Sequence, residues 1–368
     1  MTTFVKQNKS VPVLLGFAIA LVLVIIGLVL YILLSFNTSN LLPLPPPDKI
    51  GYVLTQRNDT YTVPFVMIAD QDKRSKIQKG FYRSPSIRGY LNYNLKTLNF
   101  NISYDYEYNY TSNYGFSDKG MELSDLKYYK GYLIAPDDKT GILFKLSPSK
   151  AIPWVVNADG NGLSDMSFKA EWITEKDDLL YIGSHGTEQV MRKNESILDE
   201  NRMWIKIVNY DGHVEHVNWR DNYMALREAM NVTFPGYMAH ESCQWSQLHK
   251  KWVFLPRRLS HEVFHPIQDG FRSTNVLLIA DEYFGNIQVV EIGKVEPVRG
   301  YSAFQFVPNT QDRIIFALKT VEAKDLPLET YATIFDIQGN VLLPDTLVPY
   351  EYKLEGLEFF DYNQAEWL

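Results

Sequence analysis

A short sequence pattern recurs along this chain, and its repetition limits the folds that the chain can adopt. Each copy holds a segment with a Glu or a Ser, then a turn, then an apolar strand. The copies are centred on residues 122–126, 169–173, 240–242, 301–304 and 354–359. In a β-rich chain such repeats are typical of a β-propeller, in which the first strand of each blade lines a central channel. No obvious strand follows the last copy, so another part of the chain must complete it.

The sequence after residue 50 has the composition of strands and turns. Short runs rich in Val, Ile, Tyr, Phe and Trp alternate with turn-forming pairs such as Asp-Gly and Gly-Asn. A convincing helical period is found only in residues 221–230. With 46% hydrophobic residues, the chain is able to bury a sizeable core. The sequence therefore predicts a folded all-β domain over residues 51–368.

Residues whose side chains offer an oxygen atom as a metal ligand occupy the same place in each copy of the unit. They are Ser124, Glu171, Glu241, Ser302 and Glu355. In a propeller they would converge on one axis, where facing carboxylates repel one another unless a cation lies among them. Oxygen ligands select Ca²⁺ or Mg²⁺, and Ca²⁺ suits such a channel better because it tolerates loose geometry. The alternative is that these residues are solvated and lie beside strands by coincidence.

An uncharged apolar stretch covers residues 11–36, and about 20 apolar residues suffice to cross a bilayer. Lys6 and Lys9 precede the stretch, whereas no basic residue follows it before Lys49. By the positive-inside bias, the sequence predicts a cytosolic tail at 1–10, a transmembrane signal anchor and an exoplasmic remainder. A cleaved signal peptide is the alternative, but its apolar region would be shorter and would precede a small-x-small cleavage site.

The segment after the predicted anchor, 37–50, contains the run LLPLPPP, whose prolines favour an extended stem. Sequons for N-glycosylation occur beyond it and agree with an exoplasmic domain. They begin at Asn58, Asn101, Asn109, Asn194 and Asn231. Such tripeptides also arise by chance, as the one at Asn8 on the predicted cytosolic side illustrates.

Charge and cysteine content exclude some functions. The formal net charge is -7 and no long basic run is present, so nucleic acid is not expected as a partner. The single cysteine, Cys243, excludes a disulfide within the chain. We expect a buried, inert thiol, with a reactive or intermolecular thiol as the alternative.

Several longer sequence blocks occur in the order found in one known family. The blocks are GMELSDL (Gly120–Leu126), DDKTG (Asp137–Gly141), FKAEW (Phe168–Trp172), NWRDNYMALR (Asn218–Arg227), PGYMAHES (Pro235–Ser242), FLPRR (Phe254–Arg258), FVPNTQDRIIFALK (Phe306–Lys319) and EGLEF (Glu355–Phe359). On these blocks the chain resembles the calcium-activated nucleotidase family of apyrases over nearly all of 52–359. The resemblance implies a five-bladed propeller with a central calcium. The spacing alone does not imply five, since roughly 40 to 50 residues per blade would allow six or more.

The resemblance also implies roles for particular residues. The calcium ligands would be Ser124, Asp125, Glu171, Glu241, Ser302 and Glu355. Asp70 and Asp138 would be the acidic groups required for hydrolysis, and Arg257 and Arg258 would face the phosphates. Because side chains alternate along a strand, one of two consecutive arginines is open to a structural role instead. The chain departs from the family at Ala303, where a serine is usual, and at Cys243, which is shifted by one residue.

The activity implied is calcium-dependent hydrolysis of nucleoside diphosphates such as UDP and GDP, and of triphosphates as further candidates, to monophosphate and phosphate. The setting implied is the Golgi or endoplasmic reticulum lumen, with homodimers known among relatives. Such hydrolysis needs charge neutralisation on phosphate oxygens and an aligned water, which Asp70 or Asp138 would orient or deprotonate. Two alternatives remain: a non-enzymatic propeller that binds a protein or glycan, and a surface or secreted enzyme acting on extracellular ATP and ADP.

Two motif matches are predicted to be loops. His261–His265 fits the HExxH zinc pattern, which requires a helix, but Pro266 disfavours a helix at the residue before it. Asn157–Gly162 resembles the start of a calcium-binding EF-hand loop. Phe168 stands where that loop needs a glutamate, so a glycine-rich turn is expected instead.

Overall fold

Strands dominate the part of the chain that the computed structural model describes, which is residues 51–116, 119–191 and 195–361. The predicted cytosolic tail, signal anchor and stem lie outside these residues. Among the described residues, no helix is both long enough and apolar enough to span a bilayer.

Twenty-four strands and one α-helix are found in these described ranges. The first thirteen strands are β1 (Thr55–Arg57), β2 (Thr60–Asp70), β3 (Lys76–Gln78), β4 (Phe81–Asn94), β5 (Asn99–Ser112), β6 (Lys127–Tyr129), β7 (Tyr132–Pro136), β8 (Ile142–Leu146), β9 (Ala151–Val156), β10 (Trp172–Lys176), β11 (Leu179–Gly183), β12 (Gln189–Val190) and β13 (Ile197–Asp199). The others are β14 (Trp204–Val208), β15 (Val214–Asn218), β16 (Tyr237–Ser246), β17 (Lys251–Ser260), β18 (Val276–Asp281), β19 (Ile287–Glu291), β20 (Arg299–Phe306), β21 (Ile314–Val321), β22 (Thr330–Asp336), β23 (Val341–Leu347) and β24 (Lys353–Glu358). The helix, α1, is Arg220–Ala229.

Twenty-two of the described strands form five antiparallel sheets, which are the blades of a propeller, and β12 and β13 pair with each other in a separate two-stranded sheet. Four blades follow the chain in order: β6–β7–β8–β9, β10–β11–β14–β15, β16–β17–β18–β19 and β20–β21–β22–β23. The remaining blade contains β24, β2, β4 and β5, with the short β1 and β3 added to it. The prediction of an all-β, five-bladed propeller is therefore confirmed.

The last strand of the described residues closes the propeller. β24 pairs antiparallel with β2, so that Val66 lies opposite Glu358 and Met67 opposite Leu357. The fifth copy of the repeated unit is thus the inner strand of a blade whose other strands come from the start of the domain. This pairing satisfies the backbone groups of both strands and joins the two ends of the described domain.

Aromatic side chains fill the spaces between blades. Phe65 on β2 packs edge-on against Phe316 on β21, with ring centroids 5.4 Å apart. In another group, Trp219 packs edge-on against Trp252, with ring centroids 4.9 Å apart, and its ring centroid lies 5.7 Å from that of Trp172. Such large buried rings contribute much of the apolar area removed from water. They hold neighbouring blades together and so position the inner strands.

The helix, two loops and the cysteine agree with what the sequence predicts for them. α1 covers nearly all of the segment predicted to be helical. His261–His265 follows β17 and contains no helix, and Asn157–Gly162 forms bends and turns, so both loop predictions are confirmed. Cys243 is fully buried on β16, and burial raises the pKa of its thiol, as expected for an inert cysteine.

Candidate active site

A cavity of about 800 Å³ is lined by residues from all five blades and contains most of the predicted site residues. Its lining includes eleven carboxylate side chains and six lysines or arginines. The carboxylates are Asp70, Asp72, Glu122, Asp138, Glu171, Glu188, Glu195, Glu241, Asp269, Glu322 and Glu355. Among the described lining residues, carboxylates outnumber lysines and arginines, and this imbalance favours cations.

Two predicted ligands, Glu171 and Glu241, meet at His185. The imidazole Nε2 lies 3.1 Å from Glu171 Oε1 and 3.3 Å from Glu241 Oε1. One ligand atom from each of the three residues lies within 4.8 Å of the others. We call this group the axial cluster. His185 was not predicted from the sequence, since it lies outside the repeated unit and reaches the cluster from the segment after β11.

Arg257 connects the axial cluster to Glu355. Its Nη1 contacts Glu241 and lies 3.1 Å from Glu355 Oε1, while Nη2 lies 2.8 Å from Glu322 Oε2. Burial opposes ionisation of Glu241, but the guanidinium outweighs it and holds the pKa of that carboxyl well below its usual range. The pKa of Glu355 is raised, first by burial and further by Asp70 and Glu241.

The two predicted serine ligands connect neighbouring blades. Ser124 Oγ donates a hydrogen bond to the carbonyl of Ala170 at 2.7 Å, and Ser302 Oγ donates to the carbonyl of Leu354 at 2.8 Å. Each hydroxyl oxygen keeps lone pairs with which it can bind a cation. Their assignment as ligands stays a prediction.

Asp125 is placed differently from the other predicted ligands. Its Oδ1 accepts a hydrogen bond from the backbone N–H of Leu126 at 2.8 Å, and its Oδ2 accepts one from Ile173 at 2.9 Å. The second bond crosses from one blade to the next. Glu358 makes the same pair of bonds, to Phe359 and, across blades, to Tyr128. The geometry therefore shows that Asp125 helps to fix the position of one blade against the next. Its role as a calcium ligand stays a prediction.

The axial cluster fits the predicted calcium. Glu171 Oε1 is buried, forms an ion pair with Lys169 Nζ and lies 3.1 Å from His185 Nε2. A carboxylate oxygen buried in this way is costly unless positive charge satisfies it, and Lys169 supplies one such charge in the absence of an ion. Glu171 and Glu241 supply carboxylate oxygens, the hard donors that Ca²⁺ prefers, whereas the imidazole of His185 is not such a donor.

A second acidic group lies in the same cavity and consists of Asp70, Asp72 and Glu122. One oxygen of each lies within 4.8 Å of the others, and Asp70 Oδ1 accepts a hydrogen bond from the Asp72 N–H at 2.8 Å. We call this group the second cluster. Burial raises the pKa of Asp70 despite Lys353, whose Nζ lies 2.9 Å from Oδ2. Burial, with Asp70 and Asp138, raises the pKa of Glu122 to about 8.

Asp72 and Glu122 were not predicted from the sequence. A signal for Glu122 was present, because it lies two residues before Ser124 in the first copy of the repeated unit, and residues two apart share one side of an extended chain. No comparable signal marked Asp72, whose position follows from the turn after β2.

Asp138 is held between two lysines. Its Oδ2 lies 2.6 Å from Lys139 Nζ and 2.5 Å from Lys169 Nζ. Burial opposes ionisation, but the two ammonium groups outweigh it and hold the pKa of Asp138 far below its usual range. The preceding carboxylate, Asp137, accepts hydrogen bonds from backbone N–H groups including those of Glu122 and Thr140. Asp137 thereby fixes the loop that presents Asp138.

Both predicted phosphate-binding arginines line the cavity, but with different partners. Arg257 contacts the carboxylates near the axis, whereas Arg258 donates to Ser273 and lies 3.6 Å from Asp269. The β16–β17 pairing is irregular around His240, which breaks the strict alternation expected of consecutive strand residues. Whether either arginine contacts phosphate stays a prediction.

The fold and the site together define a five-bladed propeller with a carboxylate-rich axial cavity. The apyrase family model matches residues 43–360, and the chain belongs to this family. It is 41% identical to an apyrase of Cimex lectularius over 298 residues, which is 80% of this chain and 81% of that protein. It is 38% identical to the soluble calcium-activated nucleotidase 1 of Rattus norvegicus, over 86% of this chain and 77% of that one.

Proposed function

We propose that this protein hydrolyses the terminal phosphoanhydride bond of nucleoside diphosphates, with triphosphates as further substrates, in a calcium-dependent reaction. UDP and GDP are the substrates that we expect in a secretory compartment. The observation that carries the proposal is the axial cavity, where the carboxylates of Glu171 and Glu241 lie beside the cationic side chains of Arg257 and Lys169. Membership in the apyrase family supports it.

The residues divide into phosphate-binding and proton-accepting groups. Arg257, Lys139 and Lys169 supply charge-assisted donors for phosphate oxygens. Calcium bound at the axial cluster would neutralise charge on those oxygens as a Lewis acid. Asp70 has a raised pKa and so retains affinity for a proton, which suits it to take one from the attacking water. Asp138 is ionised and paired with Lys139 and Lys169, so it is better suited to position these two lysines.

Phosphate release from UDP, GDP, ADP and ATP, with and without Ca²⁺, tests the proposal. We expect calcium-dependent release, faster from UDP and GDP than from ADP. Preference for ADP and ATP would favour the extracellular alternative. No release from any of the four nucleotides would contradict the proposal and favour a non-enzymatic propeller that binds a protein or glycan.

Calcium is expected to stabilise the fold as well as to activate it. A ligand that binds only the folded state at a hundredfold excess over its Kd adds about 2.7 kcal/mol to the free energy of unfolding. Thermal melting with increasing Ca²⁺ would measure this. Glu171→Gln should shift the response to higher Ca²⁺, whereas the exposed Glu351→Gln should not. Melting and activity that persist unchanged after chelation, or respond to Mg²⁺ alone, would contradict a calcium at the axis.

We further propose a type II topology in the Golgi or endoplasmic reticulum, with residues 11–36 as the anchor and residues 51–368 in the lumen. Cleavage or transport to the cell surface is the alternative. Expression in eukaryotic cells should give glycosylation at Asn101, which is exposed on β5, and at Asn194, which lies outside the described residues. Endoglycosidase treatment should increase gel mobility. An unchanged mobility would count against a lumenal domain. A homodimer stays a prediction.

A further inference from the structure

We propose that the loop of residues 261–268, which follows β17, binds the base of the nucleotide, and that His265 selects bases with a carbonyl group. Uracil and guanine carry such a group where cytosine and adenine carry an amino group. This assignment rests on the proposed function, because it places the base of the same nucleotide in the same cavity. It also gives a role to the segment with the HExxH pattern, which is a loop here.

Strand β16 leads from the axis of the cavity to this loop. Glu241 belongs to the axial cluster, and Ala239 and Tyr237 also line the cavity. A strand rises about 3.3 Å per residue, so Tyr237 lies roughly 13 Å from Glu241 along β16. An extended nucleoside diphosphate spans a similar distance between its terminal phosphate and its base. A nucleotide with its phosphates at the axis therefore has its base near Tyr237.

Aromatic side chains are available to a base in this part of the cavity. Phe264 on the loop packs edge-on against Tyr237, with ring centroids 5.8 Å apart. Phe264 is 44% exposed and Phe234 is 40% exposed, although both line the cavity. Aromatic rings in such positions offer faces on which a base stacks, and stacking accepts every base. Selection among bases must therefore come from a polar group.

Arg272 holds the loop in place. Its Nη1 donates a hydrogen bond to the carbonyl of Val263 at 2.9 Å. Its Nη2 donates to Gln268 Oε1 at 2.9 Å and to Glu262 Oε2 at 2.7 Å. The guanidinium thus joins the segments on both sides of His265. A loop that is fixed in this way loses little conformational freedom when a ligand binds.

His265 is the polar group that we assign to base selection. Its Nδ1 accepts hydrogen bonds from the backbone N–H groups of Ile267 at 3.3 Å and Gln268 at 3.4 Å. With Nδ1 as an acceptor, the neutral imidazole carries its proton on Nε2, and no described residue accepts a hydrogen bond from that atom. Because the ring lines the cavity, Nε2–H can donate to a carbonyl of uracil or guanine. The amino groups of cytosine and adenine are donors themselves and do not pair with it.

Equilibrium binding of the α,β-methylene analogues of UDP and CDP, measured by calorimetry in Ca²⁺, tests the site without hydrolysis. The two bases have the same size and differ at the edge that we assign to His265. We expect the wild-type chain to bind the UDP analogue roughly three- to tenfold more tightly, the usual effect of one hydrogen bond. His265→Asp should still accept the bonds from Ile267 and Gln268 but should prefer the CDP analogue, because a carboxylate is an acceptor.

His261→Asp is the matched control. His261 is an exposed residue of the same loop and does not line the cavity, so its replacement adds the same charge and should keep the wild-type preference. Phe264→Leu should weaken binding of both analogues by roughly tenfold and leave their ratio unchanged, because stacking does not distinguish the bases.

Equal wild-type affinities for the two analogues, or an unchanged ratio in His265→Asp, would overturn the role of His265. An unchanged affinity in Phe264→Leu, or binding of neither analogue by the wild-type chain, would overturn the base site. A wild-type chain that prefers the UDP analogue but releases no phosphate from UDP would retain the base site and overturn the proposed function instead.

Discussion

Replacing Asp70 with asparagine is expected to reduce kcat by roughly 10² to 10⁴-fold, the usual contribution of a positioned proton-transfer group. Asparagine has nearly the same size but cannot accept the proton. Because the axial cluster is left intact, melting of the variant should still respond to Ca²⁺. Steady-state phosphate release at saturating nucleotide and calcium, with thermal melting beside it, would measure both effects.

Asp138→Asn is the matched control for this experiment. Its carboxylate has a lowered pKa and positions Lys139 and Lys169, so its loss should weaken nucleotide binding and raise KM more than it lowers kcat. If Asp138→Asn instead lost more kcat than Asp70→Asn, Asp138 would be the proton acceptor. If either variant lost its calcium-dependent melting, that residue would be reassigned as a support of the axial ion.

Arg227→Met is expected to lower the free energy of unfolding by about 3 to 5 kcal/mol, the usual cost of removing one partner of a buried ion pair. Arg227 lies on α1 and is fully buried. Its Nη1 lies 2.8 Å from Glu188 Oε2, and its Nη2 donates to the carbonyl of Gly236 at 2.7 Å. Methionine retains the apolar volume but leaves Glu188 buried without its charge partner. Urea denaturation at fixed calcium would measure the loss.

Arg220→Met on the same helix is the control. Arg220 pairs with Glu200, but both side chains are well exposed, at 44% and 35%, so we expect a loss below about 1 kcal/mol. Equal losses for the two variants would show that helix composition, rather than the buried pair, is responsible. Glu188 and Gly236 line the cavity, so Arg227→Met should also raise KM.

The inner positions of the blades could be predicted from the sequence because each copy of the repeated unit carries its own ligand residue. Glu171, Glu241 and Glu355 were identified in this way, and the structure brings all three to one cavity. The need for the last copy to be completed elsewhere was also predicted. Its partner, β2, could not be identified, because pairing between the two ends of a domain leaves no local pattern.

Which side chains surround those positions depends on the tertiary structure. His185 reaches the cavity from a segment without a recognisable motif, and Asp72 reaches it through a turn. The opposite pKa shifts of Asp70 and Asp138 also depend on their surroundings. Both aspartates are buried, but Asp138 contacts two lysines, whereas Asp70 contacts one lysine and lies near other carboxylates.

Side-chain alternation and turn chemistry are local properties, so an all-β chain of repeated units, with an oxygen ligand at the same place in each, follows from the sequence alone. The closure of the first blade by β24, the bond of Asp125 across two blades, and the meeting of Asp70, Asp72 and Glu122 are seen only in the folded chain. This is because charge, burial and pKa depend on the groups that lie within a few ångströms in space. In a closed propeller those neighbours come from all five blades.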